Sequence, residues 1–311
     1  MLTKSQIQRI AQRNGVGMQV QERDYLQHLI LWLLYQRSQE LIFKGGTALR
    51  LLYGGNRYSE DLDFNGPDDT SALEVLWREV VENLEDFGVV AEIRNIWDSD
   101  VDYSFDVSFQ GPLHDGRDHS KGKVRVDVNQ RSEDVETHRE LVTSPYDDVR
   151  PFVVTALALD HLMAKKLRAL LVRGKPRDLC DIWLLLRQGV EPDLALVKRK
   201  LALYDRTWKR EALEEAMEDV RADWERDLCH LREFEAVQKP KRPSAPRQGS
   251  HAKARQSPGV DREAKSLSGH RRWVRAPLTC FEIPLLPQFV PYKVVRERVE
   301  ALLIQGTGYT W

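Results

Sequence analysis

The spacing of apolar residues changes near residue 154, and this change constrains the fold more than any other feature of the chain. Before it, several short runs alternate polar and apolar residues as strands do. The clearest run is 123–129, where Val124, Val126 and Val128 would share one face. After it, apolar residues recur at helical spacing. The pattern therefore predicts an α+β protein in which a mixed α/β half precedes an all-α half.

Each half is predicted to contain several elements. In the first half, helices are expected at 3–13, 21–37, 47–53 and 71–87, and strands at 40–44, 61–64, 89–96, 103–109 and 123–129. In the second half, helices are expected at 156–172, 177–187, 193–203, 208–235 and 293–304. The domains predicted from these elements are an α/β domain with N-terminal helices at 1–150, a helical lobe at 151–238 and a C-terminal tail with one helix at 278–311.

A basic segment at 239–277 separates the helical lobe from the tail. Residues 239–275 hold 11 lysines and arginines against 2 acidic residues, a net charge of +9, although the whole chain carries −1. Five of the 14 prolines fall within 239–277, and large apolar residues are scarce. A segment of this composition cannot bury enough apolar surface to offset its ordering entropy, so a disordered basic insert is predicted.

Several classes of protein are excluded by the 311-residue sequence. It contains no run of 18 apolar residues, so a membrane span is not expected. Its first residues lack the basic and apolar regions of a secretory signal. The three cysteines, Cys180, Cys229 and Cys280, are far apart and form no Cys-x-x-Cys pair. A disulfide framework and a cysteine-rich zinc site are therefore not expected, and a cytoplasmic location is predicted.

Two features within residues 43–64 favour nucleotide chemistry. Gly45 and Gly46 lie between a predicted strand and a predicted helix, where backbone N–H groups can approach a phosphate and Thr47 can offer a hydroxyl. Asp61 and Asp63 are two residues apart on a strand, so both carboxylates face one side and can bind a divalent cation such as Mg²⁺. Each feature alone is more often a turn or a solvated strand edge, but the combination is specific.

Two motifs carry a resemblance to a known family. The first, Lys-Gly-Gly-Thr-Ala-Leu at 44–49 with Arg-Tyr-Ser-Glu-Asp-Leu-Asp-Phe at 57–64, resembles the active-site motif of polymerase-beta-type nucleotidyltransferases. The second pairs a lysine helix at 163–170 with Arg-Asp-Leu-Cys-Asp at 177–181. Together they resemble the AbiEii branch, the nucleotidyltransferase toxins of type IV (AbiE) toxin–antitoxin systems, which are related to the MenT toxins.

The resemblance implies a mixed-sheet nucleotidyltransferase core followed by an all-α lobe, and it implies roles for the residues of the first motif. Gly46 and Thr47 would hold a triphosphate, and Asp61 and Asp63 would bind metal and be catalytic. The remaining nucleotide-binding positions in this motif would be Gly45, Arg57 and Ser59.

Further residues receive roles from the resemblance, each beside an alternative. Asp127 would be a third metal ligand, or it would form a surface ion pair with Arg125. Lys166 would be catalytic and touch the nucleotide phosphates, whereas Lys165 points about 100° away on the helix, so only one of the two is expected in the site.

The late acidic motif receives roles in the same way. Arg177 and Asp178 would bind nucleotide and Asp181 would be catalytic. The two carboxylates could instead be N-terminal charges that complement a helix dipole.

The implied reaction transfers a nucleoside monophosphate from a nucleoside triphosphate to a hydroxyl, with two Mg²⁺ ions. The acceptor would be the 3′ end of an RNA such as a tRNA. The protein would act as a growth-arresting toxin in abortive infection, with a cognate antitoxin as its partner. A groove for RNA could be formed by a set of basic side chains: Lys165, Lys166, Arg168, Arg173, Lys175 and Arg177. Alternatives are an inactive module of the same fold that binds nucleic acid or antitoxin, and a Mg²⁺-dependent phosphodiesterase.

Overall fold

The protein is described by a computed structural model of residues 1–55, 57–228 and 291–304, which contains a mixed seven-stranded sheet. The strands are β1 (Ile42–Lys44), β2 (Asp61–Asn65), β3 (Val90–Asp98), β4 (Asp102–Gln110), β5 (Gly122–Asn129), β6 (Thr137–Val142) and β7 (Phe152–Leu157). Their order across the sheet is β3-β4-β5-β2-β1-β7-β6. Strand β2 pairs with β5, and β1 with β7, in parallel, while the other neighbours are antiparallel.

The alternating strands divide the sheet into an apolar face and a polar face. Leu62 and Phe64 of β2 are buried, as are the three valines of β5, whereas Asp61, Asp63 and Asp127 are half-buried. Because successive side chains of a strand point to opposite faces, burying the apolar set places the carboxylates together on the other face. The sheet thus presents its carboxylates on one side.

Four helices accompany the sheet in the first part of the described chain: α1 (Lys4–Asn14), α2 (Met18–Arg37), α3 (Gly45–Tyr53) and α4 (Thr70–Glu82). Helix α1 begins with a capping box between Thr3 and Gln6 and ends at Gly15, which has a φ of 64°. Most of α2 is buried, and its leucines pack with Phe43, Phe64 and Trp77. The predicted helix 71–87 ends earlier, since Asn83–Phe87 form a 3₁₀ turn.

The described residues after β7 are helical. They form α5 (Leu159–Arg173), α6 (Pro176–Arg187), α7 (Leu194–Ala202), α8 (Arg210–Asp219), α9 (Trp224–Asp227) and α10 (Tyr292–Val299), followed by a π turn at Glu300–Ile304. Val295 and Val299 are buried in the same apolar cluster as Leu179 and Leu185 of α6. The last helix is therefore packed on the helical lobe. None of the helices in the described part of the chain is both long and apolar enough to cross a membrane.

Two strands at one edge of the sheet were not predicted. The sequence indicated helix from Val154 onward, but Phe152–Leu157 is strand β7 and α5 begins only at Leu159. An apolar run of this length is compatible with a strand or a helix, and only its pairing with β1 decides. Strand β6 was missed because its first four residues are polar and four of its six residues are exposed, which is typical of an edge strand.

Buried apolar residues form two clusters, one between the sheet and helices α1, α2 and α4, the other within the helical lobe. Along the sequence, the last residue of the first cluster is Ala156. The second cluster contains Leu49 and otherwise starts at Leu157. We therefore propose that the lobes divide near Ala158 instead of residue 150. The predicted insert at 239–277 and most of the tail at 278–311 lie outside the described residues.

Candidate functional site

The glycine pair brings β1, α3 and β2 into close contact. Gly45 has a φ of 82°, a conformation that favours glycine, and a Cβ there would overlap the carboxylate of Asp63. A Cβ at Gly46 would overlap the guanidinium of Arg57 and lie 3.1 Å from Oγ of Ser59. The pair therefore allows a carboxylate, a guanidinium and a hydroxyl to converge on the N-terminus of α3.

Thr47 connects α3 to the carboxylate strand. Its side chain is buried, and its hydroxyl donates a hydrogen bond of 2.6 Å to the backbone carbonyl of Asp61. The sequence predicts that this hydroxyl faces a phosphate, whereas in the structure its proton is donated within the protein. That expectation stays a prediction, and the observed contribution of Thr47 is to fix the position of Asp61.

Three carboxylates lie on neighbouring strands. Asp63 of β2 is in direct register with Asp127 of β5, and Asp61 is in register with Arg125. Burial, followed by the charges of Asp63 and Asp127, raises the pKa of Asp61 to about 6. Burial and the charge of Asp63 also raise the pKa of Asp127. The guanidinium of Arg125, 3.3 Å from the Asp127 carboxylate, opposes this shift. Asp127 thus forms the ion pair with Arg125 that was the alternative, and its role as a third metal ligand stays a prediction.

The donor set suits a hard divalent cation. Within residues 1–55, 57–228 and 291–304, no three His, Cys, Asp or Glu side chains are already arranged as a metal site. Mg²⁺ does not require one, because it is usually bound by one or two carboxylates together with waters and substrate phosphates. Asp61 and Asp63 supply two such carboxylates, and a cation would offset both the burial and the repulsion that raise the pKa of Asp61.

Cationic side chains surround the carboxylates. A cavity of 150 Å³, here called the first cavity, contains Gly45, Gly46, Ser59, Asp61 and Asp63 in its wall. Its cations are Lys44, Arg57, Lys165, Lys166, Arg168, Arg173 and Arg177. This list includes five of the six residues predicted to form a basic groove, Lys175 being the exception. The positive charge expected near a bound phosphate chain is therefore present.

The predicted acidic motif, Asp178 and Asp181, forms ion pairs with three of these cations. The carboxylate of Asp181 accepts hydrogen bonds from Lys166 at 2.6 Å and from Arg57 at 3.3 Å. The carboxylate of Asp178 accepts two hydrogen bonds from Arg173, at 2.7 and 2.8 Å. Burial by itself would raise the pKa of Asp181, but Arg57 and Lys166 together lower it. Neither carboxylate is part of the cavity wall. They hold the cations in place, so contact with nucleotide stays a prediction for Asp178, as does a catalytic role for Asp181.

Both neighbouring lysines of α5 border the site, so the expectation that only one would enter is wrong. Lys166 lines the first cavity, and Lys165 lines it and the next cavity as well. The reason is that α5 runs along the cleft, so two sides of the helix face it. Lys165 donates to Glu133 at 2.8 Å, and burial lowers its pKa to about 8.

Lys44 and Glu133 were missed by sequence reasoning. Lys44 donates to the carbonyl of Phe64 and to Oδ1 of Asn65, and burial, with the charge of Lys165, lowers its pKa to about 7. It faces Asp63 because β1 and β2 are antiparallel neighbours. Its position before the glycine pair was the available signal, but the pairing of the strands was needed to interpret it.

A second cavity of 360 Å³ adjoins the first and shares Lys44, Asp63, Lys165 and Arg168 with it. Its other walls come from β4, β5 and the segment after α7, and they comprise Asp102, Tyr103, Ser104, Asp127, Val128, Asn129 and Tyr204. Because strand β5 lies beside β2 on the side away from β1, the two cavities extend over opposite sides of Asp63. The site is thus a cleft with carboxylates near its centre.

Comparisons with known proteins agree with this arrangement. The sequence profile described as "Nucleotidyl transferase AbiEii toxin, Type IV TA system" matches residues 32–245. Among solved structures, the nucleotidyltransferase toxin MenT4 from Mycobacterium tuberculosis H37Rv is similar, with a TM-score of 0.50 and 24% identity, over 70% of this chain and 77% of that one. This likeness confirms the predicted α+β fold class. No curated protein sequence matches significantly.

Two Helicobacter pylori structures are also similar. One is described as a nucleotidyltransferase and has a TM-score of 0.48 and 20% identity, over 68% of this chain and 84% of that one. The other, JHP933, has a TM-score of 0.45 and 20% identity, over 72% of this chain and 99% of that one.

Proposed function

Because the chain belongs to the AbiEii family of nucleotidyltransferase toxins of type IV toxin–antitoxin systems, we propose that it transfers a nucleoside monophosphate from a nucleoside triphosphate to the 3′ hydroxyl of an RNA. The family match confirms the resemblance carried by the two sequence motifs and makes the chain a toxin nucleotidyltransferase. The triphosphate, the RNA acceptor and the metal ion are parts of the proposal.

One observation carries the proposal: a single cavity combines the glycine turn, two neighbouring carboxylates and a ring of cations. The N-terminus of α3 and the cations suit the negative charge of a triphosphate. Arg57 and Lys166 would neutralise this charge from one side and Arg177 from another. Asp178 and Asp181 would act as positioning residues, since they hold Lys166, Arg57 and Arg173.

In the proposed reaction, a bond forms between the acceptor oxygen and the α-phosphorus, and the bond from this phosphorus to the pyrophosphate oxygen breaks. The hydroxyl proton passes to water, so the products are the nucleotidylated RNA and pyrophosphate. The chain contributes chiefly by positioning the reactants and stabilising charge. Asp61, Asp63 and Asp127 would hold two Mg²⁺ ions, which when bound lower the pKa of the attacking hydroxyl and stabilise the leaving pyrophosphate.

The proposal extends to the biological role. We take the RNA to be a transfer RNA, the outcome to be growth arrest during abortive infection, and the site of action to be the cytoplasm. A cognate antitoxin would restrain the activity, and membership of a toxin–antitoxin family supports this partner. The cations that α5 and α6 direct into the cleft support a polyanionic acceptor.

The test is to incubate the purified chain with each α-³²P-labelled nucleoside triphosphate, Mg²⁺ and total cellular RNA, and to separate RNA from protein. Label in intact RNA is the expected result. Shortened RNA without label would indicate a phosphodiesterase, and no reaction under any condition would indicate an inactive binding module. Label in protein alone would contradict an RNA acceptor.

Gly46 provides a specific prediction for nucleotide binding. We expect Gly46→Ala to raise the KM for the triphosphate at least about tenfold with the fold retained, because the added Cβ displaces the guanidinium of Arg57 from the first cavity. Steady-state kinetics and a thermal melt check this. Gly17→Ala is the matched control, since a Cβ at Gly17 meets nothing within 4 Å. Equal KM values for both variants would contradict the assignment of Gly46.

A further inference from the structure

The second cavity contains planar groups that the phosphate-binding part of the site does not use. The guanidinium carbons of Arg131 and Arg168 lie 4.7 and 4.3 Å from the ring centroid of Tyr204. Tyr204 and Arg168 line the cavity, and Arg168 also reaches the first cavity. We call these three side chains the Arg–Tyr–Arg stack. Cation–π contacts of this kind attract a guanidinium group to the face of an aromatic ring.

The stack is not explained by ion pairing. Neither Arg131 nor Arg168 forms a salt bridge within the described part of the chain. Nη1 of Arg131 is buried and finds no hydrogen-bond partner among the described residues. Arg168 lines the cavity and can bind an external anion there, whereas Arg131 belongs to neither cavity wall and acts through its contact with Tyr204.

An unpaired acceptor lies on the same part of the chain. Asn129 uses its Nδ2 to donate to Asp102 at 2.7 Å, which fixes the orientation of the amide. Its Oδ1 is buried and accepts no hydrogen bond from any residue that the structure describes. Asn129 belongs to the wall of the second cavity, so this oxygen can accept from a hydroxyl or amino group of a bound molecule.

The geometry of the proposed transfer, on which this inference rests, assigns an occupant to the cavity. In-line displacement requires the attacking oxygen to approach opposite the leaving pyrophosphate. The pyrophosphate would lie among the cations of the first cavity, over β1 and the 57–59 segment. The acceptor must then arrive from the other side of Asp63, where the second cavity extends over β5 and β4.

We propose that the second cavity binds the 3′-terminal nucleotides of the RNA acceptor, with a base stacked on the Arg–Tyr–Arg stack. Bases stack on tyrosine rings and on guanidinium planes, whereas a peptide hydroxyl acceptor would need no such platform. Arg168 pairs with a backbone phosphate, Arg131 holds the ring of Tyr204, and Oδ1 of Asn129 accepts a hydrogen bond from the bound nucleotide. This placement directs the terminal hydroxyl toward Asp63 and Asp127.

The experiment measures RNA binding separately from catalysis. The probe is a 5′-fluorescein single-stranded RNA of eight nucleotides with a free 3′ hydroxyl, followed by fluorescence anisotropy without nucleotide. We expect Tyr204→Ala to weaken binding about tenfold, since stacking of one base contributes about this factor. Tyr204→Phe keeps the ring and should bind as the wild type does. Thermal shifts induced by nucleoside triphosphate with Mg²⁺ should be unchanged in both variants.

Arginine variants provide a second measurement that does not depend on the folding of Tyr204→Ala. Arg131→Ala removes a contact that orients the Tyr204 ring in the cavity wall, so it is expected to weaken RNA binding at least about fivefold. Arg187→Ala removes an equal charge and a cation–π contact with Trp183, a ring that lines neither cavity, so it should bind as the wild type does. Equal weakening by both arginine variants would show only non-specific attraction and would overturn the proposal.

The remaining outcomes separate this proposal from the proposed function. If the wild type labels RNA while Tyr204→Ala and Arg131→Ala keep wild-type affinity for the probe, the acceptor site is wrong and the function stands. If the wild type labels no RNA but binds the probe through Tyr204 and Arg131, the function fails and the binding site stands. Label transferred only to protein, with no binding of the probe, would overturn both.

Discussion

Replacing Asp63 with asparagine is expected to reduce nucleotide transfer by at least about a hundredfold while leaving the protein folded. Asp63 borders both cavities and is in register with Asp127, so it lies where a divalent cation would contact both reactants. Loss of one such charge from a preorganised site costs about 10²–10³ in rate. Initial rates of labelled nucleotide incorporation into RNA at saturating Mg²⁺ check this expectation.

The same substitution makes an opposite prediction for stability. Because the charge of Asp63 contributes to the raised pKa of Asp61, removing it relieves repulsion in the metal-free protein. The Tm of Asp63→Asn in chelator should therefore equal or exceed that of the wild type. The control is Asp68→Asn, which replaces an exposed aspartate in the loop between β2 and α4. It should change neither the rate nor the Tm. Near-normal transfer by Asp63→Asn would refute the metal assignment.

The largest loss of stability is expected for Glu133→Gln. One oxygen of Glu133 accepts both Lys165 at 2.8 Å and Lys200 at 2.7 Å, and all three side chains are at most 10% exposed. Removing the carboxylate leaves two buried ammonium groups without a counter-charge, which should lower the free energy of unfolding by about 3 kcal/mol. Urea unfolding followed by circular dichroism measures this difference. The exposed neighbour variant Asp134→Asn should unfold as the wild type does.

The pH dependence of this difference identifies its cause. Burial alone would raise the pKa of Glu133, but Lys165 and Lys200 lower it to about 2 from its ordinary value of 4.5. A carboxylate whose pKa is lower in the folded state stabilises the fold above 4.5, and this stabilisation is lost as the pH falls toward 2. The gap between the free energies of unfolding of wild type and Glu133→Gln should therefore narrow as the pH falls below 4.5. A gap that does not narrow would indicate altered packing.

The sequence was sufficient for features whose signal is local. Successive side chains in β2 and β5 point to opposite faces of the sheet. Because Leu62 and the β5 valines are buried on one face, Asp61, Asp63 and Asp127 must lie on the other. The glycine pair marks a strand-to-helix turn because Gly45 adopts a φ that other residues avoid. Helical spacing in the second half likewise predicts the all-α lobe, although the sequence placed its start near residue 154 and α5 begins at Leu159. These inferences depend only on neighbours within a few residues.

Strand pairing, in contrast, was decided by the tertiary structure. Residues 152–157 are a strand because β1 offers a parallel edge to them, and the same apolar run alone is compatible with a helix. Lys44 enters the site because β1 pairs with β2 in an antiparallel register. Such partners are distant in sequence, so no local pattern identifies them.

The roles of the charged residues also depended on the tertiary structure. The sequence contains Lys165, Lys166, Asp178 and Asp181, but it does not show that α5 borders the cleft on two sides or that the two carboxylates stand behind the cations. The second cavity combines walls from β4, β5 and the segment after α7, which are up to about a hundred residues apart. What the sequence by itself determined is the set of chemical groups and their local geometry. The fold decided which of them meet, because burial and ion pairing are properties of neighbours in space.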